Sequence, residues 1–183
     1  MPASSYSLIR MRSFSPRRNL PLCSSQKRAE SNYVSAFVRR FLAESEPCGL
    51  GIRELEVSGY GIPDFVWCSR KTDSPATPHV TAFEMKLGSW RRALAQAYRY
   101  SYFADQSVVV LPPCAAMRAY ASVDIFDRTG IGLWSYDARS GHVEKLAAPR
   151  TLRARNVGAK NKAVALLSRS TKFRQFLEEV HAF

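Results

Sequence analysis

Asp64-Phe65-Val66-Trp67-Cys68 and Val80-Thr81-Ala82-Phe83-Glu84-Met85-Lys86-Leu87 are the two stretches whose reading decides the fold. Side chains two apart on a strand share a face, so Phe83, Met85 and Leu87 line one side of the second stretch and Ala82, Glu84 and Lys86 the other. One face reads as core and the other shows charge. Residues 69 to 79, rich in Thr, Ser and Pro, read as a hairpin loop that makes the two strands antiparallel. That pairing brings Asp64, where the first strand opens, beside Glu84 and Lys86.

Upstream, Val34, Phe37, Val38 and Phe41 recur at the 3.6-residue period of a helix with one buried stripe, predicting a helix from Ala29 to Glu44. Pro47 and the glycines from Gly49 to Gly51 close it. Glu30 precedes Val34 by four and so lies on the face of that stripe. A short strand is expected from Arg53 to Val57, with Leu55 and Val57 alternating against Glu54 and Glu56, before a turn at Ser58-Gly59-Tyr60-Gly61. Downstream, Gly88-Ser89 ends the third strand and offers Ser89 as the cap of a helix from Trp90 to about Ala104. Three consecutive valines in Ser107 to Leu111 mark a strand buried on both faces, hence central and parallel to a neighbour. A helix at Ala115 to Ser122, a hairpin of Gly132 to Tyr136 with Val143 to Leu146, and helical pieces complete the chain. No internal repeat is visible.

The 183 residues, 46% hydrophobic and 23% charged, are enough for one domain with a packed core. The net charge of +12 is concentrated in two blocks. Residues 1 to 28 hold Arg10, Arg12, Arg17, Arg18, Lys27 and Arg28 and no acid. Residues 149 to 174 hold Arg150, Arg153, Arg155, Lys160, Lys162, Arg169, Lys172 and Arg174, again with no acid. Outside them 13 basic residues face 15 acidic ones. Clustered Lys and Arg suit a polyanion, because they release counterions condensed on phosphates; solvated basic tails are the plainer alternative. The chain therefore divides into a basic, disordered arm at 1–28, a core at 29–148 and a basic helical extension at 149–183 packed on that core. The arm's Arg-rich, Ser-rich character also resembles an organellar transit peptide, although Pro2 and Pro16 interrupt an amphipathic helix. Cys23, Cys48, Cys68 and Cys114 form no C-x-x-C pair, which points away from zinc or a disulfide framework and toward a reducing, cytoplasmic setting. No apolar run reaches membrane-helix length, so no membrane partner is expected. Oligomeric state is left open.

Glu84 and Lys86 share a face, and the Met85 carbonyl lies between them. Two carboxylates and a carbonyl make a hard oxygen site suited to Mg²⁺ or Mn²⁺, with positions left for water and a phosphate oxygen. Lys86 could orient the attacking water and offset charge growing on the phosphate. A solvated strand face with a Glu and Lys pair would have the same spacing.

Pro63-Asp64, nineteen residues, then Glu84-Met85-Lys86 resembles the PD-(D/E)XK nuclease superfamily, whose pattern is proline-aspartate followed by acid, any residue, lysine. Gln96 and Tyr100, i and i+4 on the next helix, are similar to the Q-x-x-x-Y element of RecB-like members. The order helix, three strands, helix, strand matches the core of that family. The resemblance covers about residues 29 to 112. It implies a restriction-endonuclease-like α/β core, a central mixed sheet flanked by helices. It further implies Asp64 and Glu84 as metal ligands with the Met85 carbonyl, Lys86 as the catalytic lysine, and Gln96 and Tyr100 as supporting or substrate-contacting residues. Glu30 is the candidate for the acid that the family often places in its first helix, though a carboxylate near a helix N-terminus is also favourable with the dipole.

Arg91, Arg92 and Arg99, beside the site helix, and Arg150, Arg153, Arg155, Lys160 and Lys162 are the candidate nucleic-acid contacts. His79, His142 and His181 lack the neighbours of a catalytic base and read as surface or loop residues. Trp67, Trp90 and Trp134 read as core rather than base-stacking groups. Together these features point to a Mg²⁺-dependent deoxyribonuclease acting by attack of a metal-activated water. A non-cleaving nucleic-acid-binding module and a protein-interaction subunit with a nuclease-like fold are the alternatives.

Overall fold

The structure is a computed structural model that describes residues 24–44, 49–71 and 74–175. In chain order its elements are α1 (Ser24–Glu44), β1 (Gly49–Arg53), β2 (Phe65–Lys71), β3 (Ser74–Met85), α2 (Trp90–Tyr100), β4 (Gln106–Leu111), α3 (Pro113–Tyr120), α4 (Val123–Thr129), β5 (Gly132–Tyr136), β6 (Val143–Ala147) and α5 (Val157–Leu167). The strands form one six-stranded mixed sheet in sequence order. β1, β2 and β3 make an antiparallel meander, β4 runs parallel to both β3 and β5, and β6 returns antiparallel to β5.

The valine run sets the middle of this sheet. Val108, Val109, Val110 and Leu111 are fully buried, because helices cover β4 from both sides. On one side α1 lays Tyr33, Val34, Phe37 and Val38 against Phe65, Phe83, Met85, Val108 and Val110. On the other, α2 and α5 bring Tyr100, Ala159, Ala163 and Leu167 onto Val66, Cys68, Val80 and Ala82. Further along that face α2, α3 and α4 pack Ala97, Ala116 and Phe126 around Val109 and Leu111. The result is a three-layer α/β domain. None of the helices among the described residues is long and apolar enough to cross a membrane.

Several elements differ from their sequence reading. Helix α1 begins at Ser24, so residues 24–28 of the expected arm are helical; residues 1–23 and 176–183 lie outside the described residues. Strands β2 and β3 run on through 69–71 and 74–79, where a loop was expected. Pairing resumes at Lys71↔Ser74 after Ser69↔His79, so residues 75 to 78 bulge opposite Arg70. A bulge is where Pro75 and Pro78, which have no N–H to give a ladder, can be carried in a strand. The first strand is Gly49–Arg53 instead of Arg53 to Val57. Its glycines are needed because aromatic rings of β2 cross them: a Cβ on Gly51 would lie 2.6 Å from the Phe65 ring. Glu54 then adopts φ +54° and turns the chain out of the strand. Leu55 and Val57 are still buried while Glu54 and Glu56 are exposed, so the alternation reported burial without reporting a strand. Helix α2 stops at Tyr100 rather than near Ala104, and Ser89 caps it through its backbone carbonyl, which accepts from Arg92 and Ala93 N–H. Helix α4 had no counterpart in the sequence reading.

The basic segment after residue 149 is fixed to the core by a buried ion pair. Lys160 of α5 donates to both oxygens of Asp105, at 2.8 and 2.7 Å, and Asp105 also accepts the Val80 N–H at 2.8 Å. His79, expected at the surface, is buried on β3 with Nδ1 3.7 Å from Asp105 Oδ2. Lys160, expected among the phosphate contacts, is thereby committed to the interior. Because Asp105 is 7% exposed, removing its partner strands a buried charge. Lys160→Met should cost about 3 kcal/mol in urea unfolding, and Lys160→Met with Asp105→Asn less than that. Equal losses in the two proteins would show that the pair is not what holds α5.

Candidate active site

The face of β3 expected to show charge is instead covered. Tyr100 from α2 closes over it, and Glu84 is only 1% exposed. A carboxylate so placed needs partners, and the fold supplies two, the Tyr100 hydroxyl and the Lys86 ammonium. The Tyr100 hydroxyl lies 2.7 Å from Glu84 Oε2, to which it donates, and 3.0 Å from the Ile62 carbonyl. It carries one hydrogen, so it bonds Glu84 when that group is ionised. When Glu84 is protonated it can donate to Tyr100, which then turns its own hydrogen to Ile62.

Lys86 follows the last residue of β3, and its N–H to Val110 O, at 3.3 Å, extends the ladder by one step. Its ammonium sits 2.9 Å from Glu84 Oε1, 3.1 Å from the Met85 carbonyl and 3.9 Å from Asp64 Oδ2. Asp64 immediately precedes β2 and is aimed by a 2.7 Å hydrogen bond from the Met85 N–H to Oδ2. The antiparallel register, Phe65 opposite Phe83, puts these groups together. Asp64, Glu84, the Met85 carbonyl, Lys86 and Tyr100 thus form one cluster.

Burial pushes the Glu84 carboxyl up to about 7, and the Asp64 charge adds to that, against the opposing pull of Lys86 and Tyr100. Asp64 is also raised, first by burial, with Lys86 and the Met85 N–H opposing. Burial alone would lower Lys86, but the charges of Glu84 and Asp64 outweigh it and hold the ammonium above its ordinary range. The Tyr100 phenol is raised by burial and by Glu84, so it acts as a neutral donor.

Other candidates stand at varying distance from this cluster. The charge of Glu30 on α1 acts on both Asp64 and Lys86. Glu54, which the sequence reading gave no role, also acts on Asp64; nothing in a short segment read as strand marked it. The Ile62 carbonyl is a second such group, invisible because main-chain acceptors leave no sequence signal. Gln96 is half-buried on α2 and lines an open depression with Arg92, Ala95 and Arg99. Its Oε1 has no hydrogen-bond partner among the described residues. Arg91 lies over the Trp90 ring at 4.3 Å. Arg150 donates to the Asp127 carbonyl, while Arg153 and Lys162 are exposed. Trp90 and Trp134 are buried and Trp67 partly so.

Glu84 Oε1 is buried and has no aligned hydrogen bond, the Lys86 contact being one of charge. Among the described residues no group of three or more His, Cys, Asp or Glu side chains is placed to hold a metal. The oxygens that the cluster does offer, two carboxylates and one carbonyl, are of the kind that would suit Mg²⁺, which keeps several waters and takes few protein ligands in phosphate sites.

No family model matches the chain, and no curated protein matches it significantly. A solved structure that does match is a protein of unknown function from Silicibacter pomeroyi. It is 13% identical, with TM-score 0.52, and the match covers 85% of this chain and 91% of that one. The two share a fold; at this identity the likeness carries nothing about activity.

The raised Glu84 carboxyl links stability to pH. In the unfolded chain the group titrates near its ordinary 4.5, and in the fold near 7, so the stability it contributes is complete below pH 4.5 and is lost as pH rises through 7. The loss is on the order of 3 kcal/mol, and Asp64 adds in the same direction. Glu84→Gln should remove this dependence, so that in EDTA the variant gains on wild type between pH 4.5 and 8. Parallel curves of unfolding free energy against pH for the two proteins would contradict the assignment.

Proposed function

We propose that this chain is a metal-dependent nuclease that hydrolyses DNA phosphodiester bonds, with a restriction-endonuclease-like core. The observation that carries the reading is the buried Glu84 carboxylate converging with Asp64 and Lys86 where β3 meets the start of β2. A solvated Glu and Lys pair would be exposed, and a packing role would not favour two carboxylates in one buried corner. The order α1, β1 to β3, α2, β4 supports the fold-level resemblance, as does the Tyr100 contact with Glu84. The two basic segments of sequence are consistent with a polyanionic substrate.

Asp64, Glu84 and the Met85 carbonyl would hold the cation. Mg²⁺ or Mn²⁺, when bound, supplies polarisation of the phosphate and acidification of water. The chain's own groups do the rest. Lys86 presents an ammonium held charged by its neighbours, placed to hydrogen-bond a phosphate oxygen or orient the water for in-line attack. Tyr100 fixes the Glu84 carboxylate from behind, and the Met85 N–H fixes Asp64. Arg99, whose charge acts on Tyr100, and Arg92, which lines the same depression, are exposed on α2 and would position neighbouring phosphates.

Purified protein should nick plasmid DNA with Mg²⁺ and not with EDTA, and Asp64→Ala, Glu84→Ala and Lys86→Ala should each lower cleavage at least a hundredfold while DNA binding is largely kept. Residual nicking by Asp64→Ala above a few per cent of wild type would overturn the metal assignment. Tyr100→Phe removes one hydrogen bond to Glu84 and keeps the packing. It should slow turnover about tenfold, as should Gln96→Ala, with little change in binding. Normal turnover in both variants would detach α2 from the mechanism.

A further inference from the structure

Next to this cluster the surface changes character. Gly59 and Gly61 take φ +85° and +105°, and this turn places Tyr60 against the end of α2. The Tyr60 and Tyr102 rings stack with centroids 5.5 Å apart and planes 27° apart. An aromatic and cation pair lies beside them: the Arg155 guanidinium is 4.7 Å above the Tyr98 ring and donates to the Tyr98 hydroxyl at 3.0 Å. The strap before α5 pins both. Arg155 N–H bonds Ser101 O at 3.1 Å and Asn156 N–H bonds Tyr102 O at 2.9 Å. The Asn156 side chain is used at both ends, Nδ2 donating to the Tyr60 hydroxyl at 3.1 Å and Oδ1 accepting the Ala159 N–H at 3.0 Å as the cap of α5.

This surface is continuous with the proposed active site. A Cβ on Gly61 would lie 3.3 Å from the Tyr100 ring and 3.9 Å from Arg99 Nη2, so the turn carrying Tyr60 wedges between the site tyrosine and an exposed arginine. The next residue, Ile62, gives its carbonyl to Tyr100. Apolar groups here face solvent: Tyr102 is 36% exposed, Ile62 49% and Val157 69%. Rigid rings, an exposed apolar rim and guanidinium groups together suit a ligand with flat faces and regularly spaced negative charge. Duplex DNA offers the charge but hides its base faces within its own stack. An unpaired strand offers both.

We propose that Tyr60, Tyr98 and Tyr102, with Arg99 and Arg155, form a stacking platform for unpaired nucleotides, so that the substrate reaches the carboxylates as a single-stranded segment. This deepens the nuclease reading and rests on it for its biological meaning; the binding itself is measured without cleavage. Aromatic side chains are sequence-tolerant partners, because every base has a face to stack. The platform therefore selects strandedness and not sequence.

The test uses the full chain in EDTA and follows fluorescence anisotropy of three labelled probes: single-stranded oligothymidylate, a chain of abasic linkers with the same number of phosphates, and a blunt duplex. Oligothymidylate should bind about tenfold more tightly than the abasic chain. Tyr102→Ala should abolish that difference, with changes of less than about twofold on the abasic chain and the duplex, and Tyr102→Trp should retain it. Equal binding of oligothymidylate and the abasic chain by wild type would overturn the platform. So would an equal loss on all three probes in Tyr102→Ala, or no binding to any probe, which would leave the surface to a protein partner. If Tyr102→Ala does not fold, the wild-type comparison and Tyr102→Trp decide. Base-dependent binding with no Mg²⁺-dependent cleavage would refute the nuclease reading and keep the platform. Cleavage without base-dependent binding would do the reverse.

Discussion

Burying one carboxylate, Glu84, is the constraint around which this molecule is arranged. An isolated ionised carboxylate in a protein interior costs more than most folds can offset, so two neighbouring groups are placed to offset it. Helix α2 contributes the Tyr100 hydroxyl, and the residue after β3 contributes the Lys86 ammonium. The start of β2 brings a second acid, Asp64, which makes the electrostatics worse and not better. A fold under selection for stability alone has no reason to add it. Two acids and one base confined in a partly dry corner are the arrangement expected of a functional site, which is what the proposed reading builds on.

The sequence made the middle of the fold readable for identifiable reasons. Three valines in β4 could only be central, and Phe83 and Met85 alternating with Ala82 and Glu84 could only be a strand. The stripe of Val34, Phe37 and Val38 could only be a helix resting on a sheet. At the margins the signal failed where local composition and tertiary context disagree. Prolines and threonines suggested a loop at 69 to 79, yet pairing continues past a bulge. Glycines suggested the end of a helix, yet at 49 and 51 they make room for the rings of β2. Leu55 and Val57 alternate with acids and are buried, but the left-handed Glu54 prevents a strand there.

The site was legible to a similar degree. Asp64, Glu84, Lys86 and Tyr100 do meet: period two in β3 is a rigid rule that sequence alone can apply, whereas Gln96, one turn from Tyr100, lines the depression with Arg92 and Arg99 instead. The depth of Glu84 was not legible. Nothing in a Glu and Lys alternation tells whether a helix will lie across it, and that depends on the parallel crossover through α2 to β4. Nor could charge count distinguish one lysine from another. Lys160 belongs to a block with no acid in it, and its partner, Asp105, lies 55 residues away in sequence.

That long-range pair explains how a highly basic segment can be both a surface and a structural part. With Lys160 paired to Asp105 and Ala159, Ala163 and Leu167 buried, α5 is anchored through its apolar face, and the strap before it lies along the end of α2 through main-chain hydrogen bonds from Arg155 and Asn156. The positive groups of the strap therefore have fixed positions relative to Tyr98, Tyr102 and the turn that leads to Asp64. A solvated tail would add charge without direction, raising affinity for any polyanion equally. A pinned strap adds direction as well: in the proposed nuclease it would set where a phosphate and its attached base lie before either reached the carboxylates. Buried ion pair, strap, aromatic turn and acid cluster thus form one contiguous run of contacts, in which Asn156 joins the start of α5 to Tyr60 and the turn that leads to Asp64.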